Sequence, residues 1–219
     1  MAEMVCDVSN NSPSWGLINL FAWKLVPERW NGGVKHIQTF KDAWVVHNKP
    51  YIRAAAGRNS LPPEMLAGVC WIEVGGDPEF IDRVAFEVRA FDWTGPPFVD
   101  KHLTLTRHPA MTSFGPVSMQ LRTAAQTLGM DPLKMSAPQF RGLADCLQRD
   151  IFNINLVARH LRQLAERDGF EFPFSVDQLR IIGARYNRGS GLSLEQIRQN
   201  TSYGDFIVKH WQRFVRLMQ

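Results

Sequence analysis

Helix start and stop signals recur along the second half of the chain, and they constrain its fold more than any other feature. A Ser followed three residues later by a Gln is typical of a helix N-terminus, because the two side chains cap backbone amides reciprocally. This pairing occurs over residues 136–139, 175–178 and 193–196. Gly129 and Gly169 stand where two helices should end. Since nothing after residue 111 alternates with period two, these signals predict an all-α protein.

The first half of the chain also carries helix patterns. A longer helix is predicted over residues 35–56, with a break near Pro50, because proline disrupts a helix interior. Gly115 and Pro116 are predicted to open the helix that ends at Gly129, and one C-terminal helix is expected over residues 206–217. Near the N-terminus, the following apolar residues can share one face of a short amphipathic helix: Trp15, Leu17, Ile18, Phe21 and Leu25.

Composition and charge narrow the class of protein. The 219 residues are 45% apolar and 21% charged, which is an ordinary globular composition. A net charge of +4 favours an anionic partner, but the basic residues form no Lys/Arg run, so no nucleic-acid partner is expected. No apolar stretch suits membrane insertion, and no basic region precedes residues 15–26 as it would in a signal peptide. We therefore expect the chain to be made in the cytoplasm.

The three cysteines, Cys6, Cys70 and Cys146, lie far apart in the sequence. They form no CxxC pair and have no histidine at zinc-ligand spacing, so each is interpreted as a structural thiol. We accordingly expect neither a metal site nor a cofactor.

Residues 77–111 form an irregular insertion rich in prolines, charges and aromatic residues. Long connections of this kind are usually functional or disordered, and the aromatic residues argue against disorder. A short hairpin is compatible with this segment. Asp92 is a weak candidate for a sugar-binding residue because it stands beside Trp93, although it can equally be a turn residue before Gly95.

One carboxylate occupies an unexpected place in the helix predicted over residues 64–74, EMLAGVCWIEV. At about 100° per residue, Glu73 falls in the middle of the apolar stripe that Leu66, Val69 and Cys70 form. A carboxyl in such surroundings has a raised pKa, and a carboxylic acid that stays protonated near neutral pH suits a general acid. The alternative is a helix-end Glu that pairs with an arginine such as Arg122 or Arg185.

Four motifs follow one another along the chain: Ile72-Glu73-Val74-Gly75-Gly76, Ser113-Phe114-Gly115-Pro116-Val117-Ser118-Met119-Gln120, Asn153-Ile154 and Ala184-Arg185-Tyr186-Asn187-Arg188-Gly189. Their order and spacing resemble the lytic transglycosylase and goose-type lysozyme superfamily over about residues 50–195. There are four departures from the family pattern: Val74 follows the acid where Ser is common, Gln120 is two residues further from Gly115, Arg188 replaces a small residue, and the segment 77–111 is longer than in a minimal domain.

The resemblance implies a lysozyme-like helical domain over residues 51–219, preceded by a helical extension over residues 1–50. It implies that Glu73 is the catalytic acid and that the substrate-binding residues are Ser113, Gln120, Tyr186 and Asn187. Ser113 and Gln120 would hydrogen-bond an N-acetyl sugar or orient the acid, the Tyr186 hydroxyl would reach the carboxyl, and Asn187 would face the cleft. Ser113 and Asn187 can also serve as helix caps, Gln120 as a surface amide, and Asn153 is interpreted as structural.

Two reactions are compatible with this fold. A lysozyme uses water as the nucleophile and commonly needs a second carboxylate, for which Asp92 and its acidic neighbours are candidates. In a lytic transglycosylase the 6-hydroxyl of the sugar attacks, so that one acid/base residue suffices and a 1,6-anhydro product forms. Either reaction cleaves peptidoglycan glycan strands, the expected partner of the chain.

Peptidoglycan lies outside the cytoplasmic membrane, so the enzyme needs a route to it. We favour an antibacterial effector delivered by a secretion system, which acts in the periplasm and has a cognate immunity protein; a phage endolysin is the alternative. A catalytically inactive glycan-binding module and a nucleic-acid-binding helical protein are rival classes. The second rival has only Lys209, Arg213 and Arg216 on one helix face to support it.

Overall fold

The computed structural model describes residue 6, residues 12–75 and residues 111–219. In these residues the chain is mostly helical with one small hairpin, so the predicted all-α class is confirmed. Asp92 and nearly all of the predicted insertion lie outside the described residues. Within the described part, no helix is both long and apolar enough to span a bilayer.

The helices are α1 Leu17–Leu25, α2 Gly33–His47, α3 Lys49–Arg58, α4 Pro63–Glu73, α5 Leu121–Thr127, α6 Ala137–Leu147, α7 Asp150–Arg167, α8 Val176–Arg188, α9 Leu194–Arg198, α10 Ser202–Lys209 and α11 Trp211–Met218. Short 3-10 turns occupy Glu28–Trp30 and Pro132–Lys134. The two strands are β1 Ser113–Phe114 and β2 Met119–Gln120, which pair antiparallel.

The chain divides into two compact units. The first contains Met1–Phe40 and Val74–Asn153, and the second contains Lys41–Glu73 and Ile154–Gln219. The predicted boundary between an extension (1–50) and a catalytic domain (51–219) falls inside α3, within the second unit. That division stays a prediction.

Capping places several helices where the sequence predicts them. The three Ser/Gln capping boxes form at the starts of α6, α8 and α9. The break predicted near Pro50 separates α2 from α3 at Asn48. Gly75, just past the end of α4, adopts the left-handed backbone conformation at φ 77°, which suits a helix stop.

The prediction that a helix begins at Gly115 and Pro116 is wrong. These residues form the turn of the β1–β2 hairpin, and α5 begins only at Leu121. Gly115 has φ +82°, and a Cβ atom there would lie 2.2 Å from the carbonyl oxygen of Leu147, so the turn requires glycine. The buried side chain of Asn153 accepts a hydrogen bond from the Val117 backbone amide at 2.8 Å, which fits its structural interpretation.

Two further predictions are corrected. The single C-terminal helix is broken at His210 into α10 and α11. Cys6 and Cys146 are not free thiols, because they form a disulfide across 140 residues of sequence. Cys70 is a buried thiol outside the disulfide, as predicted.

Close contact between α8 and α10 organises the second unit. A Cβ atom on Gly183 would lie 2.7 Å from the Cα atom of Gly204, and one on Gly204 would lie 2.0 Å from the carbonyl oxygen of Arg180. The two backbones therefore touch, which only glycine allows. Gly68 of α4 likewise accommodates the side chains of Ile207 and Phe214.

In the first unit, Trp15 is the buried anchor of the N-terminal segment. Its ring centroid lies 4.8 Å from that of Phe40, 6.1 Å from that of Trp23 and 6.0 Å from that of His36. Trp15 precedes α1 and is 5% exposed, whereas α1 itself has no buried residue. The predicted helix is confirmed, but its apolar face does not join the core.

Candidate active site

Glu73 is the last residue of α4 and is half-buried. Its carboxylate oxygen Oε1 accepts a hydrogen bond of 2.7 Å from the hydroxyl of Tyr203. Burial raises the pKa of Glu73 above its ordinary value, while the Tyr203 hydrogen bond and the charge of Lys41 partly offset this rise. The carboxyl therefore holds its proton to a higher pH than a solvated glutamate, as its position among the apolar residues of α4 predicts.

Two half-buried tyrosines lie near this carboxyl. Burial and the nearby charge of Glu73 raise the pKa of Tyr203 well above 10, and the same two causes raise the pKa of Tyr186. The two tyrosine rings lie 6.0 Å apart between centroids. Tyr186 is thus close enough to feel the charge of the acid, whereas a hydrogen bond to Glu73 comes from Tyr203. That residue was missed because nothing in the local sequence links it to a carboxyl 130 residues away.

His160 adds a neutral group beside the phenols. Its ring centroid lies 6.0 Å from that of Tyr186. Burial lowers the pKa of His160 to about 4, so the imidazole is uncharged at neutral pH. The site therefore gains polarity from His160 without a second positive charge.

Lys41 fixes the end of α4. Its ammonium donates to the carbonyl oxygens of Trp71 at 2.9 Å and Ile72 at 2.6 Å, in the last helical turn, where carbonyls lack intrahelical partners. Burial lowers the pKa of Lys41 to about 8, and the nearby charge of Glu73 opposes this effect. One buried cation thus ties down the backbone next to the acid and favours its ionised form.

Trp71 forms a braced aromatic wall. Its indole Nε1 donates to Asp42 at 2.8 Å, and the same carboxylate accepts from Arg213 at 3.0 Å and 2.7 Å. The Arg213 guanidinium lies 4.7 Å from the indole centroid, and the Phe206 ring stacks at 5.7 Å. A side chain held at its edge and on its faces has little rotational freedom, which suits a binding surface.

A cavity of about 430 Å³ lies against this wall. Its volume is in the range of small-molecule sites, which are mostly apolar with a few polar groups. Tyr203 both lines the cavity and donates to Glu73, so the cavity and the acid share a side chain. The lining residues are Trp71, Ile72, Asn187, Ser202, Tyr203 and Phe206.

The residues predicted for the site fall into two groups. Glu73, Tyr186 and Asn187 belong to the second unit, where Asn187 is exposed and lines the cavity. Ser113 and Gln120 belong to the first unit, where they face each other as a pair across the hairpin and are half-buried.

Arg185, one of the two arginines named as alternative partners of Glu73, is otherwise engaged. Arg185 is 2% exposed and pairs with Asp168, with a 2.7 Å bond from Nη2 to Oδ1, and it also donates to the Leu192 carbonyl at 2.9 Å. In the part of the chain that the structure describes, no group of three His, Cys, Asp or Glu side chains could hold a metal ion. The chemistry available at the site is proton transfer by a shielded carboxyl beside an aromatic cavity.

No known protein family matches the chain, and neither a curated protein nor a solved structure is significantly similar to it. The superfamily resemblance consequently depends on the four sequence motifs, and the lysozyme-like architecture is an expectation drawn from them.

Proposed function

We propose that this protein cleaves the glycan strand of peptidoglycan at the β-1,4 bond between N-acetylmuramic acid and N-acetylglucosamine, with Glu73 as general acid/base. The proposal depends on one observation above all. The carboxyl of Glu73 has a pKa raised by burial and is hydrogen-bonded by Tyr203, a residue that also lines the 430 Å³ cavity. A protonated carboxyl of this kind can donate to a glycosidic oxygen as the bond breaks.

The walls of the cavity suit a sugar. Trp71 and Phe206, stacked on each other, give the cavity an apolar aromatic lining, and Asn187 and Ser202 offer hydrogen-bonding groups to an N-acetyl substituent. In this proposal Tyr203 keeps the Glu73 carboxyl oriented toward the substrate. Ser113 and Gln120 remain candidate substrate ligands, as the superfamily resemblance implies.

Lytic transglycosylase chemistry is the form of the reaction that we favour. It requires one acid/base residue: Glu73 protonates the leaving oxygen and then accepts the proton of the attacking 6-hydroxyl, which closes a 1,6-anhydro ring. A muramidase would instead activate water, commonly with a second carboxylate, and Asp92 is the candidate for that role.

We further propose that the enzyme acts as an antibacterial effector in the envelope of a target cell, with a cognate immunity protein as its inhibitor. The disulfide between Cys6 and Cys146 supports an extracytoplasmic site of action, since disulfides persist in oxidising compartments.

The test is mass spectrometry of the soluble products that purified peptidoglycan yields with the wild type, with Glu73→Gln and with Glu64→Gln. Glu64 lies in the first turn of the same helix, which makes it the matched control. We expect 1,6-anhydro products from the wild type and the control, and a loss of at least about a hundredfold in rate with Glu73→Gln.

Other results would change the proposal in defined ways. Reducing-end products that disappear with Glu73→Gln would identify a muramidase and direct the search to Asp92. Intact strands with the wild type would overturn the enzymatic proposal, and strand binding without turnover would then indicate a glycan-binding module.

A further inference from the structure

The α1 helix turns four large apolar side chains to solvent. Leu17, Ile18, Phe21 and Leu25, here called the apolar stripe, are 61%, 86%, 59% and 69% exposed. On the opposite side of the helix, Asn19 bonds to His36, with 3.1 Å between Oδ1 and Nε2. At about 100° per residue the four stripe residues share one face of the helix. The helix thus turns Asn19 and Trp23 toward the chain and the apolar stripe to solvent.

This exposure is concentrated in one stretch of sequence. Among the described residues, ten large hydrophobic side chains are exposed, and six of them lie between residues 17 and 34. Trp30 at 66% and Val34 at 55% complete the six. Scattered apolar residues are normal on a protein surface, whereas a concentration of them marks an interaction site.

The residues around the stripe are basic and aromatic. Lys24, Arg29 and Lys35 are all exposed, and Glu28 is the one carboxylate in the sequence between residues 12 and 40. The Lys24 ammonium lies 3.6 Å from a ring centroid of Trp23, and the Arg29 guanidinium lies 4.6 Å from that of Trp30. Cations and indoles therefore stand side by side next to exposed aliphatic surface.

We propose that α1 is a docking helix for an anionic lipid bilayer, lying in the plane of its surface. The apolar stripe enters the boundary between headgroups and acyl chains, Lys24, Arg29 and Lys35 meet lipid phosphates, and Trp30 sits at headgroup level. The protein rests on the membrane and does not span it. This inference is independent of the proposed reaction, since none of its residues belongs to the candidate active site.

Charge favours a bilayer over a second copy of the chain. A two-fold dimer places the same patch of each copy against the other. Lys24, Arg29 and Lys35 of one copy would then approach the same residues of its partner. Like charges facing each other oppose association, whereas an anionic bilayer complements them. The buried Trp15 contacts with Phe40 and Trp23 hold the segment, so the surface is formed before binding.

The test is co-sedimentation of the full-length protein with vesicles of phosphatidylcholine and phosphatidylglycerol in equal parts, and with phosphatidylcholine vesicles alone. The variants are Ile18→Ser with Phe21→Ser, and Lys24→Gln with Arg29→Gln. Leu133→Ser is the matched control, because Leu133 is 89% exposed elsewhere in the chain.

We expect the wild type and Leu133→Ser to bind the anionic vesicles, and the serine pair to bind at least about tenfold more weakly. The glutamine pair should lose about as much affinity together with most of the dependence on salt concentration. Equal binding of all variants, or none by the wild type, would overturn the proposal. Concentration-dependent dimers in analytical ultracentrifugation that the serine pair abolishes would also overturn it, in favour of self-association.

Discussion

Two helices of this protein reverse the usual separation of polar and apolar residues, and they do so in opposite directions. In α4 a carboxyl lies among apolar residues and is half-buried, with a tyrosine hydroxyl at 2.7 Å. In α1 four large apolar side chains face solvent. The carboxyl in α4 has partners within the fold, whereas the exposed side chains of α1 form the surface for which we propose a partner outside it. Substitutions in the two regions should therefore have effects of different size and kind.

Gly204→Ala should produce the largest loss of stability, because it forces apart α8 and α10. The added Cβ atom would lie 2.0 Å from the Arg180 carbonyl oxygen, and backbone cannot move aside cheaply. We expect the free energy of unfolding to fall by about 3 kcal/mol in urea denaturation. Gly142→Ala is the control, since nothing lies within 4 Å of the added atom in the interior of α6, and it should gain up to about 1 kcal/mol. Equal stabilities would contradict the backbone contact.

Lys41→Met should remove a pH dependence of stability. The folded protein holds the pKa of Lys41 at about 8, against an ordinary value of 10.5. Between these values the unfolded chain carries the proton and the folded chain does not, so stability rises with pH in this window. The rise should reach about 3 kcal/mol and vanish in the variant. Unfolding of both proteins from pH 7.5 to 10 measures the difference.

Lys134→Met is the control for that titration, because the Lys134 side chain is 84% exposed. Its stability should follow the wild-type curve at every pH. If Lys41→Met also followed that curve, the ammonium would be solvated and its role at the end of α4 would be wrong.

Tyr203→Phe should have a smaller effect, confined to the acid. It removes the hydrogen bond that lowers the pKa of Glu73, so this pKa rises and the alkaline limb of the kcat/KM profile moves to higher pH. We expect about a tenfold loss of rate at the pH optimum. Tyr186→Phe, which leaves that hydrogen bond in place, should leave the limb where it is. An equal shift in both variants would mean that the two phenols act on the acid alike.

Phe21→Ser should have the smallest effect on the fold. Its side chain is 59% exposed, so the free energy of unfolding should change by no more than about 0.5 kcal/mol. Thermal unfolding without vesicles measures this. A loss of several kcal/mol would show that the stripe is part of the core and would remove the contrast between α1 and α4.

Much of the fold could be predicted because helix boundaries are local. The Ser175–Gln178 capping box and Gly75 place the start of α8 and the end of α4 from four or fewer neighbouring residues. The hairpin was missed because strands of two residues give no periodic signal, and Gly115–Pro116 resembles a helix start.

The site was predictable only in part, for the same reason. The position of Glu73 among the apolar residues of α4 is a property of one helix, so it can be predicted from the sequence. Its contact with Tyr203 joins α4 to α10 across 130 residues of sequence. Lys41 lies 32 positions before Glu73, and its charge lowers the pKa of that carboxyl. Nothing in the sequence around Lys41 indicates this role.

The Cys6–Cys146 disulfide makes the stability of this protein depend on the redox conditions around it. The bond closes a loop 140 residues long that includes Glu73 and excludes Tyr203. A cross-link over so long a loop lowers the conformational entropy of the unfolded state, which stabilises the folded state by about 5 kcal/mol. Under reducing conditions the chain lacks that contribution, and it gains the bond only where thiols are oxidised. The same chain is therefore less stable in a reducing solution than in an oxidising one.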